Sequence, residues 1–286
     1  MSYFEAKWCS LDWTPWTSFT AMEAKWKLIP NEKGVYRVRP TNTSIIAYIG
    51  ETGRRLRDIL NSLRRGTMAD LMPFSDSNTA APNLWAWRQE LHWNYEGSTA
   101  TVKKSKAKRR AIECLLLWKY RLERGESTLC NYGRFHKNYL KSTDSSRNMR
   151  GFRLPEPHLN SSWGPSFPPL RPEGKPLDDN WMGINWNINV PLSLEASDQV
   201  PNVPGLYRIL NQESSSLKYI GETMILRSCF KQHCRNFGDK RLFFSFSKQS
   251  PSIKDFQLHE LATDLIGAYY YQTSTVPTNQ FFNMVE

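Results

Sequence analysis

Gly34-Val35-Tyr36-Arg37-Val38, followed by Tyr48-Ile49-Gly50-Glu51-Thr52, decides the architecture of this chain because it occurs twice. The first pentapeptide returns as Gly205-Leu206-Tyr207-Arg208-Ile209 and the second as Tyr219-Ile220-Gly221-Glu222-Thr223, both displaced by 171 residues. Chance agreement at one offset in two separate pentapeptides is improbable, so the chain carries an internal duplication. The likeness extends upstream, where Leu11-Asp12-Trp13 resembles Ile184-Asn185-Trp186. It also extends downstream, where Thr128-Leu129-Cys130-Asn131 resembles Val276-Pro277-Thr278-Asn279.

Around each repeat the hydrophobic pattern predicts the same elements. Gly34 to Val38 and Ile45 to Ile49 flank Pro40-Thr41-Asn42-Thr43, a β-hairpin signal. Leu56, Ile59, Leu60 and Leu63 then recur at helical spacing. Leu84 to Trp93 is aromatic-rich and leads toward a third strand, and Lys103 to Arg124 reads as a strong helix. In the second copy the hairpin spans Gly205 to Ile220. A helix from Leu226, a strand from Leu242 to Ser247 and a helix from Ile253 to Tyr271 follow.

Between the copies, residues 151–180 hold Pro155, Pro157, Pro165, Pro168, Pro169, Pro172 and Pro176. Proline lacks a backbone donor and disfavours helix, so this segment is expected to be an extended linker. The expected organisation is a first domain over residues 1–150, the linker, and a second domain over residues 181–286.

Charge separates the halves. The net charge is +11, and residues 1–150 hold 26 Lys and Arg against 14 Asp and Glu, while residues 151–286 hold 12 against 13. A basic domain steers polyanions to its surface, which makes nucleic acid the expected partner. No run of 18 or more apolar residues is present, so no membrane partner is expected. The N-terminus does not read as a signal peptide, and the five scattered cysteines read as reduced thiols, which together predict a cytoplasmic protein. Cys229, His233, Cys234 and His259 lack the paired Cys-x-x-Cys pattern of a zinc site.

The ordered set Gly-Val-Tyr, Tyr-Ile-Gly, a helical Arg, a Glu in a later helix and then an Asn resembles the GIY-YIG nuclease superfamily. The resemblance covers residues 30–140 well and 200–283 more loosely. It implies an α+β fold of two domains, each a small three-stranded antiparallel sheet flanked by helices. It also implies a metal-dependent endonuclease that hydrolyses phosphodiester bonds of double-stranded DNA with Mg²⁺ or Mn²⁺, in restriction of foreign or modified DNA or in repair. The alternative expectation is a non-catalytic module that recognises a DNA structure or modified base and acts with a partner nuclease. A homodimer would supply two sites for double-strand cleavage.

By the same resemblance, Glu113 is the metal ligand, and a hard cation that keeps its waters can use a single carboxylate. Arg57 matches the arginine that faces the scissile phosphate, with Arg54 and Arg55 as close competitors; a guanidinium suits that role by its fork geometry. Tyr36 and Tyr48 match the signature tyrosines, one of which, most often the first, takes or relays the proton of the attacking water. A phenol needs help to serve as a base at neutral pH. Gly50 and Asn131 are expected to be structural, with Gly221 and Asn279 as their equivalents. Lys103, Lys104, Lys106, Lys108, Arg109 and Arg110 form a basic run just before Glu113 that suits phosphate contact.

The second copy keeps Tyr207, Tyr219 and Arg227, and carries His233 where the first copy has Leu63. Alignment of the final helices places Ala262 opposite Glu113, with Glu260 and Asp264 two residues to either side. Two residues turn a helical side chain by about 200°, so the second copy is expected to be impaired as a metal site.

Overall fold

The computed structural model describes residues 2–74, 80–142, 149–187, 189–211, 213, 216–237 and 241–281. They form an α+β structure with small antiparallel sheets, in two compact units that interleave along the chain. The first unit comprises Met1–Arg109 and Glu126–Ser166; the second comprises Arg110–Gly125 and Phe167–Glu286. The proline-rich segment is thus shared, with residues 151–166 in the first unit and 167–180 in the second.

In the first unit the strands are β1 (Thr17–Ser18), β2 (Gly34–Pro40), β3 (Tyr48–Thr52) and β4 (Tyr95–Thr101), in the order β1-β4-β2-β3. All pairings are antiparallel. The hairpin register sets Tyr36 opposite Gly50 and Gly34 opposite Thr52. Helix α1 (Leu56–Thr67) buries Leu56, Ile59, Leu60 and Leu63, the apolar face expected from their spacing. That face joins Phe19, Tyr36, Val38, Leu84 of helix α2 (Ala80–Leu91) and Tyr95 in one core.

The second unit repeats this topology. Its strands β5 (Val190–Pro191), β6 (Gly205–Asn211), β7 (Ser216–Thr223) and β8 (Leu242–Lys248) run in the order β7-β6-β8-β5, again antiparallel, with Tyr207 opposite Gly221. Each sheet therefore has four strands where the sequence predicted three. The extra strand is a two-residue edge too short to leave a periodic signal. Strand β6 is buried on both faces: Tyr207 and Ile209 pack with Leu226 and Phe230, while Leu206 and Leu210 pack with Trp181 and Leu261.

A buried arginine anchors the entry segment of each unit. Arg37 lies 4.1 Å from the Trp13 ring centroid and donates to the carbonyls of Tyr3 and Glu5. Arg208 lies 4.6 Å from the Trp186 centroid and donates to the carbonyls of Pro176 and Asp178. In both units the indole donates to the carbonyl five residues earlier, Trp13 to Trp8 and Trp186 to Trp181. Burial lowers Arg37 to about 9 and Arg208 to about 10, values at which both stay charged at neutral pH. Desolvated contacts of this kind, cation–π and charged hydrogen bond together, contribute about 1–3 kcal/mol each.

Helix α3 (Lys106–Arg124) contributes its residues from Arg110 onward to the second unit, where they meet α5 (Asp255–Thr273). A Cβ on Gly267 would fall 2.6 Å from the Cys114 carbonyl oxygen, so only glycine permits the approach. Below this crossing lies a triad with no solvent exposure. Arg121 Nη1 is 3.1 Å from Glu260, and its Nε is 2.9 Å from Asp264. The backbone N–H of Phe167 donates to Glu260 and that of Leu170 to Asp264. Glu260 therefore braces the proline-rich segment and is not displaced toward the position opposite Glu113.

One guanidinium faces two buried carboxylates, and burial raises Asp264 to about 7 against the pull of Arg121. A carboxyl raised on folding adds stability that is complete below its unfolded value and lost as pH rises through the folded one. Thermal unfolding of the wild type should therefore lose stability between about pH 4 and pH 7 more steeply than Asp264→Asn. Parallel profiles for the two proteins would remove Asp264 from this role.

Candidate functional site

The tyrosine pair recurs in both units, tilted by 48° in the first and stacked at 15° in the second. The rings of Tyr36 and Tyr48 are 5.9 Å apart, as are those of Tyr207 and Tyr219. Both rings close over the strand glycine. A Cβ on Gly50 would lie 2.7 Å from the Tyr36 hydroxyl and 2.8 Å from Tyr48; one on Gly221 would lie 2.5 Å from the Tyr207 hydroxyl and 2.8 Å from Tyr219. The glycine is thus a slot for two aromatic rings, and its structural role was legible in the tripeptide. Tyr36 is only 3 % exposed. Tyr48 is half-buried and faces a cavity of about 240 Å³ that also receives Asn131, Arg134 and Lys141.

Asn131 completes the hairpin edge. Its side chain accepts from the N–H of Ile49 and donates to the carbonyl of the same residue, as a neighbouring strand would. In the second unit Gln280, not Asn279, makes this bridge, to the N–H and carbonyl of Ile220. The extra methylene of Gln reaches the edge from one residue further along. Asn279 instead uses its backbone N–H, which donates to Lys218.

Arg57 is anchored on backbone carbonyls. Its Nε donates to Ile29 and its Nη2 to Lys27 and Ile29, capping carbonyls that follow a short helix, Glu23–Trp26. Arg227 does the same in the second unit, donating to Val200. Arg54 and Arg55 are exposed at the start of α1. Of the basic run, Lys104, Lys106 and Lys108 are exposed, and Lys103 sits 3.3 Å from Glu32. Arg109 departs from the expectation: it is buried, with Nε 3.1 Å from Glu51 and Nη1 donating to Lys104. Arg110 is exposed and stacks on Phe281 in the second unit. Glu113, half-buried, belongs to the second unit with the rest of α3 from Arg110 onward.

The second unit holds a polar cluster that the first lacks. His233 Nε2 is 2.9 Å from the Tyr207 hydroxyl. Tyr207, Tyr219, Glu222, Ser228, Cys229 and His233 line a cavity of about 470 Å³ there. Helix α4 (Leu226–Phe237) supplies Cys229 and His233; the same positions of α1 hold Ile59 and Leu63, both in the apolar core. Burial drives the cluster toward neutrality. It lowers His233 to about 4, raises Cys229 to about 11 and raises Tyr207 well above 10.

Among the described residues no group of three or more His, Cys, Asp or Glu side chains is placed to hold a metal ion. Structural zinc needs such a set. A magnesium-type ion that keeps several waters and shares the substrate phosphate needs one or two carboxylates, and the donor chemistry of a half-buried Glu113 fits that smaller demand. No helix among the described residues is long and apolar enough to cross a membrane. No family model, no curated protein and no solved structure matches this chain.

The tyrosine slot has a direct structural test. Gly50→Ala and Gly221→Ala should each destabilise the protein by about 1–3 kcal/mol in denaturant unfolding, the usual cost of overpacking a filled core. A loss below ~0.5 kcal/mol at either position would show that the ring pair is not held by the glycine.

Proposed function

We propose that the chain is a metal-dependent endonuclease that hydrolyses phosphodiester bonds of double-stranded DNA, with one working site per chain. The observation that carries this reading is the Tyr36–Tyr48 pair held over Gly50, in a hairpin whose Glu51 fixes Arg109 at the end of the exposed lysine run. Glu113 follows Arg109 one helical turn later on α3.

In this reading Glu113 holds Mg²⁺ or Mn²⁺. The metal, when bound, polarises the phosphate and stabilises the leaving oxygen. Tyr48, the more exposed tyrosine, receives or relays the proton of the attacking water, with Tyr36 orienting it across the glycine. Arg54 and Arg55 take the phosphate-facing role expected of Arg57, whose guanidinium is anchored on carbonyls. Lys104, Lys106 and Lys108 add sequence-independent affinity for the backbone. The second unit binds or braces without cutting: Ala262 stands opposite Glu113, Glu260 and Asp264 are bound to Arg121, and burial lowers His233 to about 4. Restriction of foreign or modified DNA, by a chain that dimerises for double-strand cleavage, is the setting this reading favours.

Glu113→Gln should abolish cleavage, a loss of at least about 100-fold, while leaving DNA affinity within about threefold, because removing one site of charge stabilisation costs roughly 2.7–4 kcal/mol of barrier. Gel assays of cleavage beside binding measured in chelator would check both halves. Cleavage retained by Glu113→Gln would remove the assignment, and tight binding without cleavage by the wild type would favour the recognition-module reading.

A further inference from the structure

One face of α1 has no part in the tyrosine site. Arg57, Asn61, Arg64 and Arg65 recur along it at helical spacing, and together with Trp26 and Lys27 they line a groove of about 690 Å³. Glu23 is the one acidic residue in its lining. None of the four cations makes an ion pair among the described residues. Elsewhere in this unit Arg39 is paired with Glu96 and Arg109 with Glu51.

Two features distinguish the groove from a solvated basic face. First, two of its cations, Arg57 and Arg64, are held in place. Three hydrogen bonds fix Arg57 by Nε and Nη2, which leaves the Nη1 protons without a protein acceptor among the described residues. The Arg64 guanidinium lies 4.9 Å from the Trp26 ring. Second, Trp26, which lines the groove, is only 4 % exposed, and its buried indole Nε1–H has no hydrogen-bond partner among the described residues. A buried donor left unsatisfied is costly, and it points to an acceptor supplied from outside.

The duplication provides an internal control. On the matching face of the second unit Arg227 caps the Val200 carbonyl as Arg57 caps that of Ile29, yet Arg227 also lies 3.7 Å from Asp198. The arginine's structural task is common to both copies, and in the second it also lies near an acidic side chain, which Arg57 does not among the described residues. Arg64 and Arg65 correspond to Cys234 and Arg235, so the adjacent pair of cations belongs to the first copy, while the second carries Lys231 where the first has Asn61.

We infer that this groove is a second nucleic-acid contact, in which the Trp26 indole and the Arg57, Arg64 and Arg65 guanidiniums bind consecutive phosphates of a DNA backbone. Guanidinium forks suit phosphate oxygens, and contacts of this kind position a duplex without reading its sequence. The inference rests on the proposed action on DNA and adds a site on the face of α1 that the reaction does not use.

The test is fluorescence anisotropy of the full chain with a labelled duplex of arbitrary sequence, in chelator, across a salt series. Arg64→Gln/Arg65→Gln should reduce the slope of log affinity against log salt by roughly 2, one for each lost phosphate contact. The second-unit pair Lys231→Gln/Arg235→Gln should leave it unchanged, and circular dichroism should show all variants folded. An unchanged slope in the first pair, or an equal fall in the second, would overturn the groove. If the slope falls but the wild type never cuts, the groove stands and the nuclease reading fails. If the wild type cuts but the slope is unchanged, the reverse holds. Absence of DNA binding by the wild type would sink both.

Discussion

A tyrosine ring lying across a strand glycine sets the register on which each unit is built. Tyr36 faces Gly50 and Tyr207 faces Gly221 across their hairpins, and any side chain at either glycine would collide with two aromatic rings. A slip of one residue in a strand turns every side chain to the other face. Here it would put Arg37 into the aromatic core and Tyr36 against the entry segment. Because Arg37 and Arg208 are themselves buried against tryptophan and backbone carbonyls, both faces of each central strand specify the same register. The tyrosine pair, the Glu51–Arg109 contact and the Asn131 bridge are all placed by that single pairing.

On this shared scaffold the two copies differ in where they keep their polar groups. The second unit sets buried His233 and half-buried Cys229 against its tyrosine pair, where burial lowers the His233 pKa and raises that of Cys229; the first fills the same positions with Leu63 and Ile59. On the outer helix face the contrast reverses. Arg227 is near Asp198, while Arg57, Arg64 and Arg65 have no acidic partner among the described residues. Unpaired cations on a rigid helix are the form in which net charge becomes binding.

Much of this was legible in the residues. The duplicated pentapeptides set the hairpins, and the spacing of Leu56, Ile59, Leu60 and Leu63 set the helix that packs on them. The edge strands at Thr17–Ser18 and Val190–Pro191 were not, because two residues carry no period. Gln280 was missed because alignment favours like residues, whereas a strand edge selects any amide that reaches it. The Arg121–Glu260–Asp264 triad was hidden because its members are 139 and 143 residues apart, and charged residues on a helix read as exposed. Arg109 was grouped with a surface run for the same reason, although Glu51 draws it inward. The sharing of α3 and of the proline-rich segment between the units has no local signature at all.

The central claim is that one phosphodiester-cleaving site operates in each chain. Conversion of supercoiled plasmid by the wild-type protein, with Mg²⁺ or Mn²⁺ and with chelator, on methylated and unmethylated DNA, tests it most directly. The account predicts metal-dependent nicked circles that precede any linear product. Direct linearisation at limiting enzyme would contradict a single working site, and no cleavage of either DNA under any condition would contradict the nuclease itself.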